Sequence, residues 1–202
     1  MKTRLDQFDA EKGLDRGRSK GFLAGWYLLK CLFLLSAWPW PMGLKRCLLR
    51  AFGAKIGESV VIKPRVNVHF PWKLEVGDHA WIGEEVFILN FEPVKIGAHA
   101  CISQRAFLCT GNHDYRDPQF TYRNAPITIG SGAWIGAGVF VGPGVEVGEE
   151  AVAAAGSVIT RNVPANTIVA GNPASERGPR WKSDNRKNLA TAERSETDSS
   201  KS

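Results

Sequence analysis

Fifteen aliphatic positions recur at a spacing of six, in five trios. They are Ile56, Ile62 and Val68; Val76, Ile82 and Ile88; Ile96, Ile102 and Leu108; Ile129, Ile135 and Val141; and Val147, Ala153 and Ile159. Four residues after most of them stands a second small or branched apolar residue, such as Val60, Ala80, Ala100, Ala133 or Ala151. A helix would repeat at i, i+3, i+4 and i+7, and a half-buried strand at every second residue, so period six excludes both as the repeating unit. Six residues make one short strand and a corner. Glycine follows the anchor at Gly57, Gly77, Gly97, Gly130 and Gly148 among others, where a corner asks for little side chain. Three sides close a triangular coil, and stacked coils bury a continuous core. The expected fold is mainly β, a parallel β-helix of about five coils, roughly 24 Å tall at a strand spacing of about 4.8 Å.

The interruptions are as informative as the rhythm. Val68 to Val76 and Ile88 to Ile96 are eight residues each, and Leu108 to Ile129 is twenty-one. Every surplus residue follows the third side of a coil, so the insertions stack on one edge, which in repeat proteins is often the binding edge. The longest insertion, residues 109–128, reads CTGNHDYRDPQFTYRNAPIT and contains His113.

The flanks divide the chain further. Residues 1–20 are polar and without period, and are expected to be extended or mobile. Residues 21–52 open on a run, FLAGWYLLKCLFLLSAWPWPM, whose single charge is Lys30. Prolines at 39 and 41 divide it, which predicts helices over about 21–37 and 43–52. The second carries Lys45, Arg46 and Arg50 beside leucines, an amphipathic basic pattern. Three readings stand: a cap or subunit contact at the open end of the prism, contact with a membrane surface, or a true span. The β-helix then occupies 53–174, with 109–128 inserted, and residues 175–202 form a polar tail.

The net charge of +6 lies largely outside the repeats, which disfavours a nucleic-acid surface. The four cysteines make no CxxC pair, so neither a zinc knuckle nor a disulfide framework is indicated. Reduced thiols suit a cytoplasmic protein, or one associated with the inner face of the membrane.

Several residues carry candidate chemistry. His113, beside Asn112, Asp114 and Asp117, is either a general base whose tautomer a carboxylate or carbonyl fixes, or an exposed loop histidine. Asp114 or Asp117 would orient His113 or bind an acceptor. Asn90, at an inserted corner one coil earlier, would face the same groove. His79 and His99 occupy equivalent corners of adjacent coils, with Ser59 and Gly132 in the same column, which suits solvated corners better than a metal site. Trp81 and Trp134 each precede an anchor and should point outward, for interface packing or as a flat wall for a ligand. The stretch AAAGSVITR over 153–161 offers flat backbone and then Arg161, whose guanidinium would suit a phosphate; the alternative is an ordinary closing coil with a solvated Arg.

The hexads, the histidine loop ISQRAFLCTGNHDY, the following PITIGSGAWIGAGVFVGPGVEVG and the closing GSVITRNVPANTIVAGNPA together resemble the hexapeptide-repeat acyltransferases. Within these they are most similar to the colanic-acid-type acetyltransferases of exopolysaccharide biosynthesis. The resemblance spans roughly residues 20–174. It implies a left-handed coil, homotrimers with active sites between subunits, acetyl-coenzyme A as co-substrate, a glycan acceptor and no metal. It further implies that His113 is the catalytic base and that Trp134 and Ala137 line the coenzyme groove. Ala155 would meet the pantetheine arm, and Thr160 with Arg161 the nucleotide end. Ser175 and Gly178 stand where similar enzymes often have arginines, with Arg177 or Arg180 as substitutes. Two rival readings use the same prism: a metal enzyme similar to γ-class carbonic anhydrases, which needs three convergent histidines, and a non-catalytic scaffold, which has no use for the long loop.

Overall fold

The structure, a computed structural model, describes residues 2–182. Three parallel sheets form the faces of a prism. The first face stacks Lys55–Ile56, Leu74–Val76, Val94–Ile96, Ile127–Ile129 and Glu146–Val147. The second stacks Val61–Ile62, Trp81–Ile82, Cys101–Ile102, Trp134–Ile135, Val152–Ala153 and Thr167–Gly171. The third stacks Asn67–Val68, Phe87–Leu89, Phe107–Cys109, Phe140–Val141 and Val158–Ile159. Five coils are complete, and Val163 with Thr167–Gly171 begins a sixth.

Register follows the hexads. On the first face Ile56 pairs with Val76, Val76 with Ile96, Ile96 with Ile129 and Ile129 with Val147. The second and third faces repeat this anchor-over-anchor pairing, as in Ile62 over Ile82 and Val68 over Ile88. All fifteen anchors are buried, none more than 7% exposed, because each points into the axis and meets the anchor of the next coil. The glycines after first-face anchors are required by proximity. A Cβ on Gly77, Gly97 or Gly130 would lie 2.5 Å from a backbone nitrogen of the next coil.

The N-terminal helices close the open end. Along the faces, backbone N–H groups donate from each coil to the carbonyls of the coil after it, as Gly57 N does to Val76 O, while corner bonds such as His79 N to Glu58 O run the other way. The carbonyls along the first coil's faces therefore point outward and need donors. Helix α1 (Lys20–Leu29), continued by a wider π-helical stretch Lys30–Leu34, and helix α2 (Met42–Ala51) supply them. Arg50 donates to Ile56 O at 2.7 and 2.9 Å, Arg46 to Val60 O at 2.9 Å and Lys45 to Ile62 O at 3.0 Å. Trp26 Nε1 donates to His69 O at 3.0 Å. Of the three readings of this segment, the basic row of α2 thus serves the cap. Among the described residues no helix is long and apolar enough to cross a membrane.

Two flanking expectations change. Residues 4–18, expected to be loose, run against the insertion edge: Arg4 N donates to Pro118 O at 2.8 Å and Trp72 Nε1 to Arg16 O at 2.9 Å. The arm bends at Gly13 and Gly17, both at positive φ. The polar tail also begins later than 175. Ala174–Pro179 turns back as an antiparallel strand on Thr167–Gly171 and covers the last edge of the second face. The remainder of the expected tail, 183–202, lies outside the described residues.

Candidate active site on the insertion edge

The loop 109–128 leaves the third face after Cys109 and returns to the first face at Ile127. It is a hairpin-like excursion. His113 bridges Tyr122 in antiparallel fashion, and Asp114 N donates to Thr121 O at 2.8 Å. Asp114 and Asp117 build its turn. Asp114 Oδ1 accepts from Arg116 N at 2.9 Å; Asp117 accepts from Gln119 N at 3.0 Å and from the Thr121 hydroxyl at 2.7 Å. The Thr121 hydrogen bond, with the Gln119 amide next, holds the Asp117 carboxyl below its ordinary range. Among the described residues neither carboxylate bonds the imidazole.

A backbone carbonyl does that instead. His113 Nδ1 lies 2.6 Å from Phe120 O. A carbonyl only accepts, so Nδ1 carries the proton and Nε2 presents its lone pair. Phe120 sits at φ +54°, an uncommon region for a bulky residue, and this local strain aims its carbonyl at the ring. Rings then fix the plane of His113. Phe120 stacks at 4.2 Å and 10°, Tyr122 lies at 4.8 Å, and Phe8 of the N-terminal arm meets it edge-on at 5.3 Å. Phe8, Phe120 and Tyr122 went unnoticed in the sequence. Phe8 falls in a segment without period, and the orienting group is a main-chain oxygen that no residue type marks.

Asn90 does not face the groove. It is fully buried, and its amide accepts from Phe70 N at 2.8 Å while donating to Phe70 O at 2.5 Å. Its work is to tie the first two insertions together. Arg180 is also engaged elsewhere, donating to Gly132 O at 2.7 Å and pairing with Glu150 at 3.1 Å on the corner between the first and second faces. Arg177 remains exposed beside Ala170 O.

The remaining candidates divide between two edges. Trp134, 48% exposed, is tethered by its indole N–H to Ser103 Oγ at 2.9 Å. Beside it, Ala137 and Ala155 are exposed on successive coils at the corner between the second and third faces, joined by Gly156 N to Ala137 O at 2.8 Å. A Cβ placed on Gly138 or Gly156 would meet nothing within 4 Å, so this corner offers bare backbone to an extended ligand. Thr160 and Arg161, exposed after the last third-face strand, lie instead on the insertion edge, two coils beyond the base of the His113 loop. Between the edges runs the third face with its Phe87, Phe107 and Phe140 ladder. One chain alone does not bring the two sets together.

His79 and His99 stack at 5.0 Å on their corner, both at φ +58°, one coil apart as expected. Among the described residues no group of three or more His, Cys, Asp or Glu is placed to hold a metal ion.

Comparison with known proteins agrees with this architecture. Residues 126–161 match the family described as bacterial transferase hexapeptide (six repeats). WcaF of Escherichia coli strain K12, provisionally named a colanic acid biosynthesis acetyltransferase, is 42% identical over 173 residues, which are 84% of this chain and 93% of that protein. Nodulation protein L of Rhizobium meliloti strain 1021 is 33% identical over 71% of this chain and 77% of its own. A crystal structure of a hexapeptide-repeat-containing acetyltransferase of Vibrio cholerae, complexed with acetyl-coenzyme A, superposes with a TM-score of 0.74 at 26% identity, over 81% of this chain and 89% of that one. The repeat, the register it imposes and these likenesses converge: the chain belongs to the hexapeptide-repeat acetyltransferases.

Proposed function

We propose that this protein transfers an acetyl group from acetyl-coenzyme A to a hydroxyl of a sugar or exopolysaccharide precursor, with His113 as general base. The observation that carries the reading is the 2.6 Å contact from Nδ1 to Phe120 O, which leaves Nε2 as the basic nitrogen. Nε2 takes the proton of the acceptor hydroxyl as that oxygen attacks the thioester carbonyl. The C–O bond forms, the C–S bond breaks, and the imidazolium returns its proton to the departing thiolate. No covalent enzyme intermediate is required. A positioned base contributes about 10²–10⁴-fold, and holding both substrates in place adds to it.

The split of candidates over two edges supports a site shared between copies. One copy would offer the His113 loop. A neighbour would offer Trp134, the open corner at Ala137 and Ala155, or Thr160 and Arg161. A homotrimer closes such contacts without leaving an edge unmatched. Arg161 brings a guanidinium suited to phosphate. Asp114 and Asp117 serve the acceptor by shaping the loop. Contact of residues 21–52 with the inner face of a membrane would fall to the exposed apolar side of α1, since the cations of α2 are occupied by the cap.

The test is thiol release from acetyl-coenzyme A with candidate glycans as acceptors. His113→Ala should lower turnover by at least 10²-fold while thermal stability holds. Wild-type turnover in that variant would remove His113 from the mechanism, and failure of the wild type to bind coenzyme A would revive a scaffold.

A further inference from the structure

Helix α1 turns Trp26 and Leu34 of its extension into the first coil. The opposite side stays open, with Tyr27, Leu28 and Leu32 at 64%, 62% and 52% exposed. Between α1 and the first insertion lies a pocket of about 520 Å³, walled by Leu23, Trp26, Tyr27, Leu28 and Phe70. Its size is that of an ordinary small-molecule site. Two polar residues enter this apolar space, Lys30 and His69.

Lys30 is only 4% exposed. Its ammonium donates to Asn67 Oδ1 at 3.1 Å and lies 5.0 Å from the centre of the Tyr27 ring. Among the described residues no carboxylate pairs with it. An ammonium has three donors, and burying one without a counter-charge is unfavourable. Burial accordingly lowers its pKa. His69 packs edge-on against Phe70 at 4.5 Å and Phe91 at 5.1 Å. Burial, with the Lys30 charge adding, pushes it down to about 4, so its ring is neutral and still offers an N–H. A methionine at position 30 would fill the same space at less cost. The cation is explained by a ligand that brings an anion and an apolar body together.

We infer that this pocket binds one amphiphile, a long apolar chain ending in a phosphate, with the chain along Leu23, Leu28 and Phe70 and the head on Lys30 and His69. A flat bilayer explains the pocket less well, because the cation sits inside it and the basic row of α2 is spent on carbonyls. A second copy explains it less well too, because lysine is depleted from interface cores. The site shares the insertion edge with His113. Phe91 lies 5.1 Å from His69, Tyr122 6.0 Å from Phe91, and His113 4.8 Å from Tyr122. On the acetyl-transfer reading, which this extension rests on, the pocket would hold the lipid phosphate that anchors the glycan acceptor.

Calorimetry on the full chain tests the binding without turnover, so its failure is separable from failure of the acetyl-transfer reading. Dodecyl phosphate, kept below its micellar concentration, should bind saturably at one per chain. Dodecanol should bind at least tenfold more weakly, and inorganic phosphate should give no saturable heat. Lys30→Met should weaken dodecyl phosphate at least tenfold and leave dodecanol unchanged. Leu28→Glu, at an exposed wall, should block both ligands and serves if the first variant does not fold. Unsaturable dodecyl phosphate binding overturns the proposal, as does equal binding of inorganic phosphate or indifference to Lys30→Met. Adsorption to phosphatidylglycerol vesicles that Lys30→Met leaves intact, without saturable dodecyl phosphate binding, would assign the face to a bilayer instead.

Discussion

Replacing Gly97 with alanine tests whether close stacking of the coils is what the glycine column provides. An ideal Cβ at Gly97 would stand 2.5 Å from Ser131 N and 2.8 Å from Gly130 C. Ordinary contact begins at 3.4 Å, so the two coils must part by about 1 Å at that corner. Two backbone hydrogen bonds span it: Gly97 N to Ile129 O at 2.8 Å and Gly132 N to Ala98 O at 2.9 Å. Stretched by that amount, both leave bonding range. A buried backbone group left unpaired costs about 1–3 kcal/mol, so with lost packing the total is about 3–5 kcal/mol. For a chain of this size that is a fall in thermal midpoint of roughly 10 °C. Gly138→Ala is the control, because its φ is +65° yet nothing lies within 4 Å of a new Cβ. There only the left-handed backbone is penalised, at about 1–2 kcal/mol. Calorimetric melts of the two variants side by side decide the matter. If Gly97→Ala melts with Gly138→Ala, proximity between coils is not the reason for glycine.

Asn90→Leu should cost about 1–3 kcal/mol in denaturant unfolding, since it strands the buried Phe70 N–H and leaves Phe70 C=O with the Lys73 N–H alone; a change confined to acceptor KM would restore Asn90 to the site. Arg50→Ala removes the donor to Ile56 O and Gly57 O at the open end and should cost about 1–2 kcal/mol, read from the same titration; an unchanged midpoint would mean that water caps those carbonyls equally well. The depressed His69 implies acid sensitivity. Its folded value of about 4 lies below the ordinary 6.5, so the unfolded chain binds the extra proton first. Stability is therefore complete above about pH 6.5 and falls as pH drops toward 4, by up to about 3 kcal/mol. Unfolding measured at pH 7.5 and 4.5 should show this loss in the wild type and a smaller one in His69→Asn; equal losses would remove His69 as the cause.

The sequence by itself determined the prism. An anchor every six residues states which side chains point to the axis, and burial of identical columns leaves one register, so Ile96 finds Ile129 across a twenty-one-residue interruption. The same rule placed every insertion on one edge, set Trp81 and Trp134 outward, and put His79 beside His99. It also picked out His113, because a long loop breaks a short rhythm. Segments without a period were another matter. Only the tertiary structure decided that Phe120 O, seven residues downstream, orients His113; that Phe8 reaches the same ring from an arm lacking any pattern; and that Asn90 is spent on Phe70. Lys45, Arg46 and Arg50 looked like a basic surface until the first coil's outward carbonyls gave them partners. The reason is physical. Periodic burial is a local, one-dimensional property that residue type encodes directly. A hydrogen bond to a main-chain oxygen depends on where that oxygen lies in space, and every residue carries one.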